Sequence, residues 1–192
     1  MAEERIMPQL VMRRAHLQGL PPVELPAGYT LRTSRAGDGA AWALILNESF
    51  GGERTIEDFQ AIMVNDPAYR ADRIFFICDP DGYPCATASA YRSAGWGEQV
   101  GFVHYVACRP AHLGKRLGLL VSLAVLHKFV EEGCSESVLF TDDYRLPAIK
   151  TYLRLQFHPL IVHENQPERW RLLFDILGQP EGMQTLEMRM VP

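Results

Sequence analysis

The chain has 192 residues, a formal net charge of −4 and an apolar fraction of 47%. This length can form one domain with a substantial core, and the composition is that of a soluble globular protein. The acidic balance argues against broad binding to nucleic acids or anionic membranes. No apolar run reaches the roughly 20 residues that cross a bilayer. The opening Met-Ala-Glu-Glu-Arg lacks the apolar core of a secretory signal, so we expect a cytoplasmic protein.

The four cysteines are Cys78, Cys85, Cys108 and Cys134, and no two of them form a C-x-x-C pair. Cysteines in such mostly apolar contexts are typical of free thiols in a reducing compartment. The sequence also lacks zinc-ligand spacing, a Ser-His-Asp order and a nucleotide P-loop. We therefore expect no metal.

The first predicted element follows an irregular N-terminal stretch. Residues 1–27 include the segment Leu20-Pro-Pro-Val-Glu-Leu-Pro26, in which the prolines prevent a long helix. We interpret residues 1–27 as an extension packed on a single domain formed by residues 28–192. Alternating apolar and polar residues predict a strand over 28–32.

Two helices are predicted next. Gly37-Asp38-Gly39 ends the first strand, and Asp38 is a candidate cap for a helix over 40–48. Thr55-Ile-Glu-Asp58 is a capping-box pattern, which predicts the start of a second helix that ends near Asp66-Pro67.

The rest of the chain begins with three consecutive strands, after which helices and strands alternate. Asp79-Pro-Asp-Gly82 is a turn signal that predicts a hairpin between the first two of these strands. Gly133 is suited to end the helix that follows the third strand. Strands are predicted over 73–78, 85–91, 99–108, 137–141, 157–162 and, weakly, 184–191; helices are predicted over 112–132, 146–155 and 166–177. A long helix between two strands implies a parallel pair with a right-handed crossover. We expect an α/β (α+β) fold in which a mixed, mostly antiparallel sheet of six or seven strands carries helices on both faces.

Residues 103–118 combine a strand, a Pro turn and a helix start that has no Ser, Thr, Asp or Asn cap. The basic residues of this helix start are Arg109, His112, Lys115 and Arg116. The N–H groups of a first helical turn lack partners and carry partial positive charge, so an anion would stabilise this arrangement. Gly114 and Gly118 leave room for a phosphate. The alternative is an ordinary turn and helix with surface Lys and Arg.

The order of this window and of a second one, residues 141–157, resembles the GCN5-related N-acetyltransferases (the GNAT superfamily). These enzymes transfer an acetyl group from acetyl-CoA to an amine. They hold the CoA pyrophosphate on the pattern [Gln/Arg]-x-x-Gly-x-[Gly/Ala]. Aligned on Pro110, Gly118 matches the last position, whereas Leu113 and Arg116 replace the first residue and the central glycine.

The resemblance implies that the strand before the turn splays from a parallel neighbour, and that its exposed backbone pairs with the pantetheine arm and the thioester. It assigns CoA contacts to a set of strand, turn and helix residues. These are Val106, Ala107, Cys108, Leu113, Gly114, Lys115, Arg116, Leu117, Gly118, Leu119 and Arg145.

Two residues are candidates for catalysis. The resemblance implies that Tyr152, four residues after Ala148, protonates the leaving CoA thiolate; the alternative is an aromatic residue that only packs the core. His104 lies one strand period from Val106, so we expect it to share a face with Val106 and Cys108 and to act as a base. A structural histidine is the alternative. Cys108 is more typical of a small buried hydrophobe than of a nucleophile.

The sequence therefore predicts an acetyl-CoA-dependent N-acetyltransferase that acts by direct attack of an amine in a ternary complex. A small-molecule or peptide amine is the expected acceptor, and a homodimer is possible. The alternatives are a non-catalytic domain of the same fold that binds CoA or a protein partner, and an interaction protein that does not bind CoA.

Overall fold

The computed structural model describes residues 7–188. Its strands are β1 (Leu10–Arg14), β2 (Thr30–Thr33), β3 (Ile74–Cys78), β4 (Pro84–Tyr91), β5 (Val100–Cys108), β6 (Glu136–Thr141), β7 (His158–Ile161) and β8 (Glu187–Met188). Its α-helices are α1 (Gly39–Phe50), α2 (Ile56–Phe59), α3 (Leu117–Glu131), α4 (Leu146–Arg154) and α5 (Gln166–Leu177). A π-helical turn, Gln60–Val64, continues α2.

These elements belong to two compact units. The central unit contains residues 15–137, and the terminal unit combines residues 7–14 with residues 138–188. β1 lies in the terminal unit, within the stretch for which the sequence predicts an irregular extension. The division of the chain into an extension over 1–27 and one domain over 28–192 stays a prediction.

The central unit is built on four antiparallel strands. β2 pairs with β3, β3 with β4, and β4 with β5. The predicted hairpin between β3 and β4 is confirmed, and its turn is closed by the Asp79 carboxylate, which accepts hydrogen bonds from the backbone N–H of Asp81 (3.1 Å) and Tyr83 (2.9 Å). α1 and α3 both pack on β4 and β5.

A β-bulge interrupts the pairing of β4 with β5. Thr87 lies opposite Ala107 and Ser89 lies opposite His104, so Ala88 alone faces two residues of β5. Tyr105, one of those two, has a left-handed φ of 49°. Because opposed residues of an antiparallel pair share a face, the extra residue places His104 and Ala107 on the same face of the sheet.

The core on that face is aromatic. Trp42 of α1 is fully buried, and its ring centroid lies 5.3 Å from that of Phe59 and 5.3 Å from that of Tyr105. Ala107 and Phe76 belong to the same buried cluster. On the other face, the ring of Phe129 from α3 covers Gly101 of β5.

The predicted helix starts of α1 and α2 have different outcomes. The capping box at α2 is confirmed: Thr55 Oγ1 accepts from the backbone N–H of Asp58, whose carboxylate accepts from the backbone N–H of Thr55.

The prediction that Asp38 caps α1 is wrong. Its carboxylate instead accepts from the guanidinium of Arg32 (2.6 and 2.8 Å) and from the backbone N–H of Arg35 (2.6 Å). A guanidinium that forks onto both oxygens outcompetes a helix cap.

In the terminal unit, β1 pairs with β7 in antiparallel orientation and β7 pairs with β8 in parallel orientation. Trp170 and Phe174 of α5 are buried, with ring centroids 5.7 Å apart. The predicted last strand over 184–191 is reduced to β8, and residues 189–191 lie outside the described residues.

The predicted mixed α/β fold is therefore confirmed, with antiparallel and parallel pairs and with eight strands in the described chain instead of six or seven. The additional strand is β1, an apolar run whose partner lies far along the sequence. Over residues 7–188, each helix is too short or too polar to cross a membrane.

We expect Gly101→Ala to lower the free energy of unfolding. A methyl group at this position would lie 2.4 Å from ring atoms of the fully buried Phe129. Overpacking of this kind typically costs about 1–3 kcal/mol. Urea unfolding followed by circular dichroism measures the change. Gly95→Ala is the control, since its nearest neighbour would be 3.8 Å away; equal stability of the two variants would contradict the packing argument.

Candidate functional site

The turn after β5 leads into α3 by an irregular path. Pro110–His112 form a single 3-10 turn, and α3 begins only at Leu117. The prediction that this helix starts near His112 is therefore wrong by five residues. The reason is local: Gly114 has φ 82° and Arg116 has φ 59°, and neither left-handed residue can continue a right-handed helix.

Arg116 stands where the GNAT pattern has its central glycine. Its left-handed backbone is the conformation that glycine adopts without a Cβ penalty. The chain thus adopts, with an arginine, a backbone conformation that glycine favours. The arginine also places a guanidinium at the start of α3.

The electrostatics of this turn favour an anion. No side chain of the described residues caps α3, and the first turn of α3 contains no acidic residue. Arg109 is committed to Glu48, with Nε and Nη2 each 3.0 Å from a carboxylate oxygen. Hydrogen bonding to Arg109 lowers the pKa of Glu48. Lys115 and Arg116 are then the cations nearest to the open backbone N–H groups of the helix start.

His112 attaches the turn to the β2–β3–β4 sheet. Its Nδ1 lies 3.0 Å from the Tyr29 hydroxyl, and its Nε2 lies 3.9 Å from Asp79 Oδ2. The sequence did not single out Tyr29, and it marked Asp79 only as a turn residue. Both residues lie far from His112 in the sequence, so no local pattern predicts these contacts.

The strand residues assigned to CoA contribute backbone and buried side chains. Val106 lies in the bulge, Ala107 pairs with Thr87, and Cys108 pairs with Ala86. Burial raises the pKa of Cys108 to about 11, and the nearby Lys115 offsets only part of that effect. A thiol with this pKa stays protonated near neutrality, so Cys108 is unsuited to act as a nucleophile.

His104 does not lie where regular alternation predicts. The bulge moves Val106 and Cys108 out of step, so the expectation that the three residues share one face is wrong, and His104 shares its face with Ala107. Its ring centroid lies 4.0 Å from that of Tyr105 and 5.3 Å from that of Tyr91. Burial lowers its pKa to about 4, against an opposing effect of Asp66. Nδ1 has no hydrogen-bond partner among the described residues.

Tyr152 and Arg145 belong to the terminal unit. Tyr152 lies on α4, where it is buried and packs edge-on against Phe157, with ring centroids 6.2 Å apart. Burial raises the pKa of Tyr152 to about 12, and Arg145 acts in the opposite direction. Arg145 donates from Nε to Asp142 Oδ2 at 2.8 Å. These side chains offer a phenol that keeps its proton and a guanidinium close to it.

Comparison with known proteins shows which family the chain resembles. The model of the Acetyltransferase (GNAT) family matches residues 40–157. A mycothiol acetyltransferase of a Nocardioides species is 30% identical over 174 residues, which cover 80% of this chain and 58% of the relative. One from Thermomonospora curvata is 29% identical over 167 residues, which cover 82% of this chain and 53% of the relative. The crystal structure of a GCN5-related N-acetyltransferase from Sphaerobacter thermophilus has a TM-score of 0.64 at 24% identity, covering 80% of this chain and 49% of that one.

The fold and the uncapped basic turn define a domain of the acyltransferase class. With the family model matched over residues 40–157, the chain belongs to the GNAT acetyltransferase family. The predicted family is thereby confirmed. The chain spans about half the length of the curated relatives it matches. Within residues 7–188, His, Cys, Asp and Glu side chains form no group of three or more that could hold a metal ion.

We expect Arg116→Gly to raise the free energy of unfolding by about 1 kcal/mol, because a left-handed non-glycine residue costs about 1–2 kcal/mol. Arg116→Ala is the matched control, since it removes the same charge but retains the Cβ. Urea unfolding of both variants measures the difference. Equal stability of the Gly and Ala variants would show that the φ of 59° carries no strain.

His104 should make stability depend on pH. Its folded pKa of about 4 lies below its ordinary 6.5, so the unfolded chain binds more protons between these values. Stability is therefore present above pH 6.5 and falls as the pH drops toward 4. Between pH 6.5 and about pH 4.5, the loss attributable to this residue should be about 2 kcal/mol.

The variant His104→Gln tests this dependence, because it keeps a polar side chain that does not titrate. Urea unfolding at several pH values should give a shallower acid loss for the variant than for the wild type. His16→Gln serves as a control at a histidine outside the buried cluster. An unchanged slope in His104→Gln would rule out a depressed pKa at this position.

Proposed function

We propose that this chain transfers an acetyl group from acetyl-CoA to a primary amine by direct attack in a ternary complex. The observation that carries the proposal is the start of α3, which is uncapped, lacks acids and is entered through left-handed residues at 114 and 116. Such a helix start is suited to a pyrophosphate. Membership of the GNAT family supports acetyl-CoA as its source.

The turn residues would hold the cofactor mainly through their backbone. The N–H groups from Gly114 to Leu119 would face the pyrophosphate, and Leu113, Lys115 and Arg116 would contribute the side chains around it. The backbone of the bulge and of residues 106–108 would pair with the pantetheine arm. Arg145 would add a third cation. These assignments follow from the family pattern and from the uncapped helix start.

In the proposed reaction the amine nitrogen attacks the thioester carbonyl carbon, the carbon–sulfur bond breaks and the sulfur takes a proton. Backbone N–H groups near Val106 would polarise the carbonyl. Tyr152 would supply the proton to sulfur. Its pKa of about 12 supports this role because the phenol stays neutral at and well above neutral pH.

The amine must lose a proton before or during its attack. His104 is neutral above its pKa of about 4, so it can accept a hydrogen bond at any ordinary pH. The same low pKa makes it a weak base by itself. We therefore propose that His104 orients a water molecule that carries the proton away.

The relatives named mycothiol acetyltransferases favour a small-molecule amine over a peptide. The amine that mycothiol acetyltransferases acetylate therefore belongs in the first panel of acceptors, together with amino sugars, polyamines and peptide N-termini. Release of the CoA thiol, followed with a thiol reagent, identifies the substrate. Cytoplasmic location and a homodimer stay predictions.

We expect Tyr152→Phe to lower kcat by about 10²-fold, since general acid catalysis contributes about 10²–10⁴-fold. The affinity for acetyl-CoA should change little, because the phenyl ring still fills the same buried site. Steady-state kinetics and calorimetric titration with CoA measure the two quantities.

Tyr83→Phe is the control, since Tyr83 is 67% exposed in the β3–β4 turn. Retained kcat in Tyr152→Phe would exclude Tyr152 as the acid. CoA binding without turnover of any amine in the wild type would instead support a non-catalytic binding domain. Absence of stabilisation by millimolar acetyl-CoA would overturn the proposed function as a whole.

A further inference from the structure

A pocket lies in the central unit between the π-helical turn and the end of β4. Its cavity volume is about 20 Å³, which is room for one group the size of a water molecule or an ammonium head. Its polar lining includes Asp66, which follows the π-helical turn, and Ser89 and Tyr91 of β4. The sequence marked Asp66 only as the end of a helix before a proline.

Asp66 is held in this pocket by neutral donors. Its Oδ2 accepts from the Tyr91 hydroxyl at 2.7 Å, and its Oδ1 accepts from the backbone N–H of Ala68 at 2.7 Å. Among the ion pairs of residues 7–188, none involves Asp66. Its negative charge is oriented but not neutralised, which is the state that a carboxylate needs to receive a cation.

The two arginines that line the same pocket have other partners. Arg73 donates from Nε and Nη2 to both carboxylate oxygens of Glu132, at 2.7 and 2.8 Å. Arg70 donates from Nε to Asp72 Oδ1 at 3.2 Å. Because these guanidiniums are paired with acids of their own, they leave the charge of Asp66 available to a ligand.

Two buried polar atoms without hydrogen-bond partners are a second, independent indication that the pocket receives a ligand. Ser89 lines the pocket and is 2% exposed, yet its hydroxyl has no hydrogen-bond partner among the described residues. His104, which lies opposite Ser89 across the strand pair, has an unpartnered Nδ1. Buried polar groups are normally satisfied, so these two atoms indicate a ligand or water that completes them.

The position and the surroundings of the pocket suit an amine. Tyr69 and Tyr91 line it, and aromatic faces attract ammonium groups. His104 adjoins the β5 bulge, where the proposed function places the thioester carbonyl. A π-helical segment such as the one above the pocket occurs frequently at functional sites.

We infer that this pocket receives the ammonium form of the acceptor's amine, and that Asp66 is the carboxylate that docks it. Tyr91 holds Asp66 in place, and Ser89 and His104 offer hydrogen-bonding atoms to the same group. The acceptor class is a small, cationic primary amine. This inference rests on the proposed function and names the acceptor end of that site.

The first test compares Asp66→Asn with the wild type in the thiol-release assay with cationic amines. Loss of one partner of a charged pair should raise KM for the amine about 30-fold or more, with a smaller change in kcat. Affinity for CoA should stay the same. Asp81→Asn is the control, an exposed acid of the β3–β4 turn that should leave all parameters unchanged. An unchanged amine KM in Asp66→Asn would overturn the inference.

A second measurement needs no variant. The ¹⁵N-labelled wild-type protein, saturated with CoA, is titrated with butylammonium and separately with 1-butanol, its neutral counterpart. Butylammonium alone should shift the amide resonances of Ser89, Tyr91 and His104. Equal shifts with both compounds, or none, would overturn the inference even if CoA binds. If CoA itself fails to bind, the proposed function is what fails.

Discussion

One extra residue in β5 determines which side chains of this strand face the aromatic core of the central unit. The bulge at Tyr105 and Val106 puts two residues opposite Ala88, and the strand continues beyond it with its faces exchanged. A bulge both leaves backbone groups unpaired and re-aims the side chains on either side of it. Ala107 thereby enters the aromatic core, while His104 lies opposite Ser89 on the same face of the sheet.

The left-handed φ of Tyr105 has to be held by its surroundings. A non-glycine residue in this region costs about 1–2 kcal/mol. The ring of Tyr105 packs on Trp42 and on His104, at centroid distances of 5.3 and 4.0 Å, and these contacts offset the backbone cost. Strain that packing holds in place is characteristic of active sites. The bulge and the aromatic core of α1 therefore form one structural unit.

The start of α3 also has features that lower the stability of the free chain. Arg116 adopts a backbone conformation suited to glycine and places a cation at the positive end of a helix dipole. Both features are unfavourable in the free chain and favourable beside a pyrophosphate. Arg109 differs because Glu48 neutralises it. Arg109 therefore binds the turn to α1, whereas Lys115 and Arg116 remain for a ligand.

Elements with a local signal were predictable from the sequence. The capping box at Thr55, the Asp79 turn and the glycine after α3 at Gly133, with its φ of 77°, all depend on residues within one turn of each other. The uncapped start of α3 was predictable because basic residues stand where a cap would be. β1 was missed because its pairing with β7 is set far along the chain.

Three further predictions were wrong for one physical reason. In each case a local sequence pattern competes with a contact or a backbone conformation that the pattern does not show. Alternation along β5 predicts a face for His104, but the bulge depends on how Tyr105 packs against α1. Asp38 has the side chain of a cap, but Arg32 binds it more strongly. Arg116 is predicted within a helix, but its left-handed backbone ends the helical path before Leu117.

Ser89 and His104 connect the β5 bulge to the pocket that Asp66 lines. A buried hydroxyl or imidazole nitrogen without a partner costs about 1–3 kcal/mol, and Ser89 and His104 each carry one such atom at adjacent positions. The regular register of β5 before the bulge keeps His104 opposite Ser89. Ser89 lines the same pocket as Asp66, whose carboxylate only neutral groups hold. A cationic amine satisfies all three groups at once, because an ammonium offers three N–H donors and one positive charge.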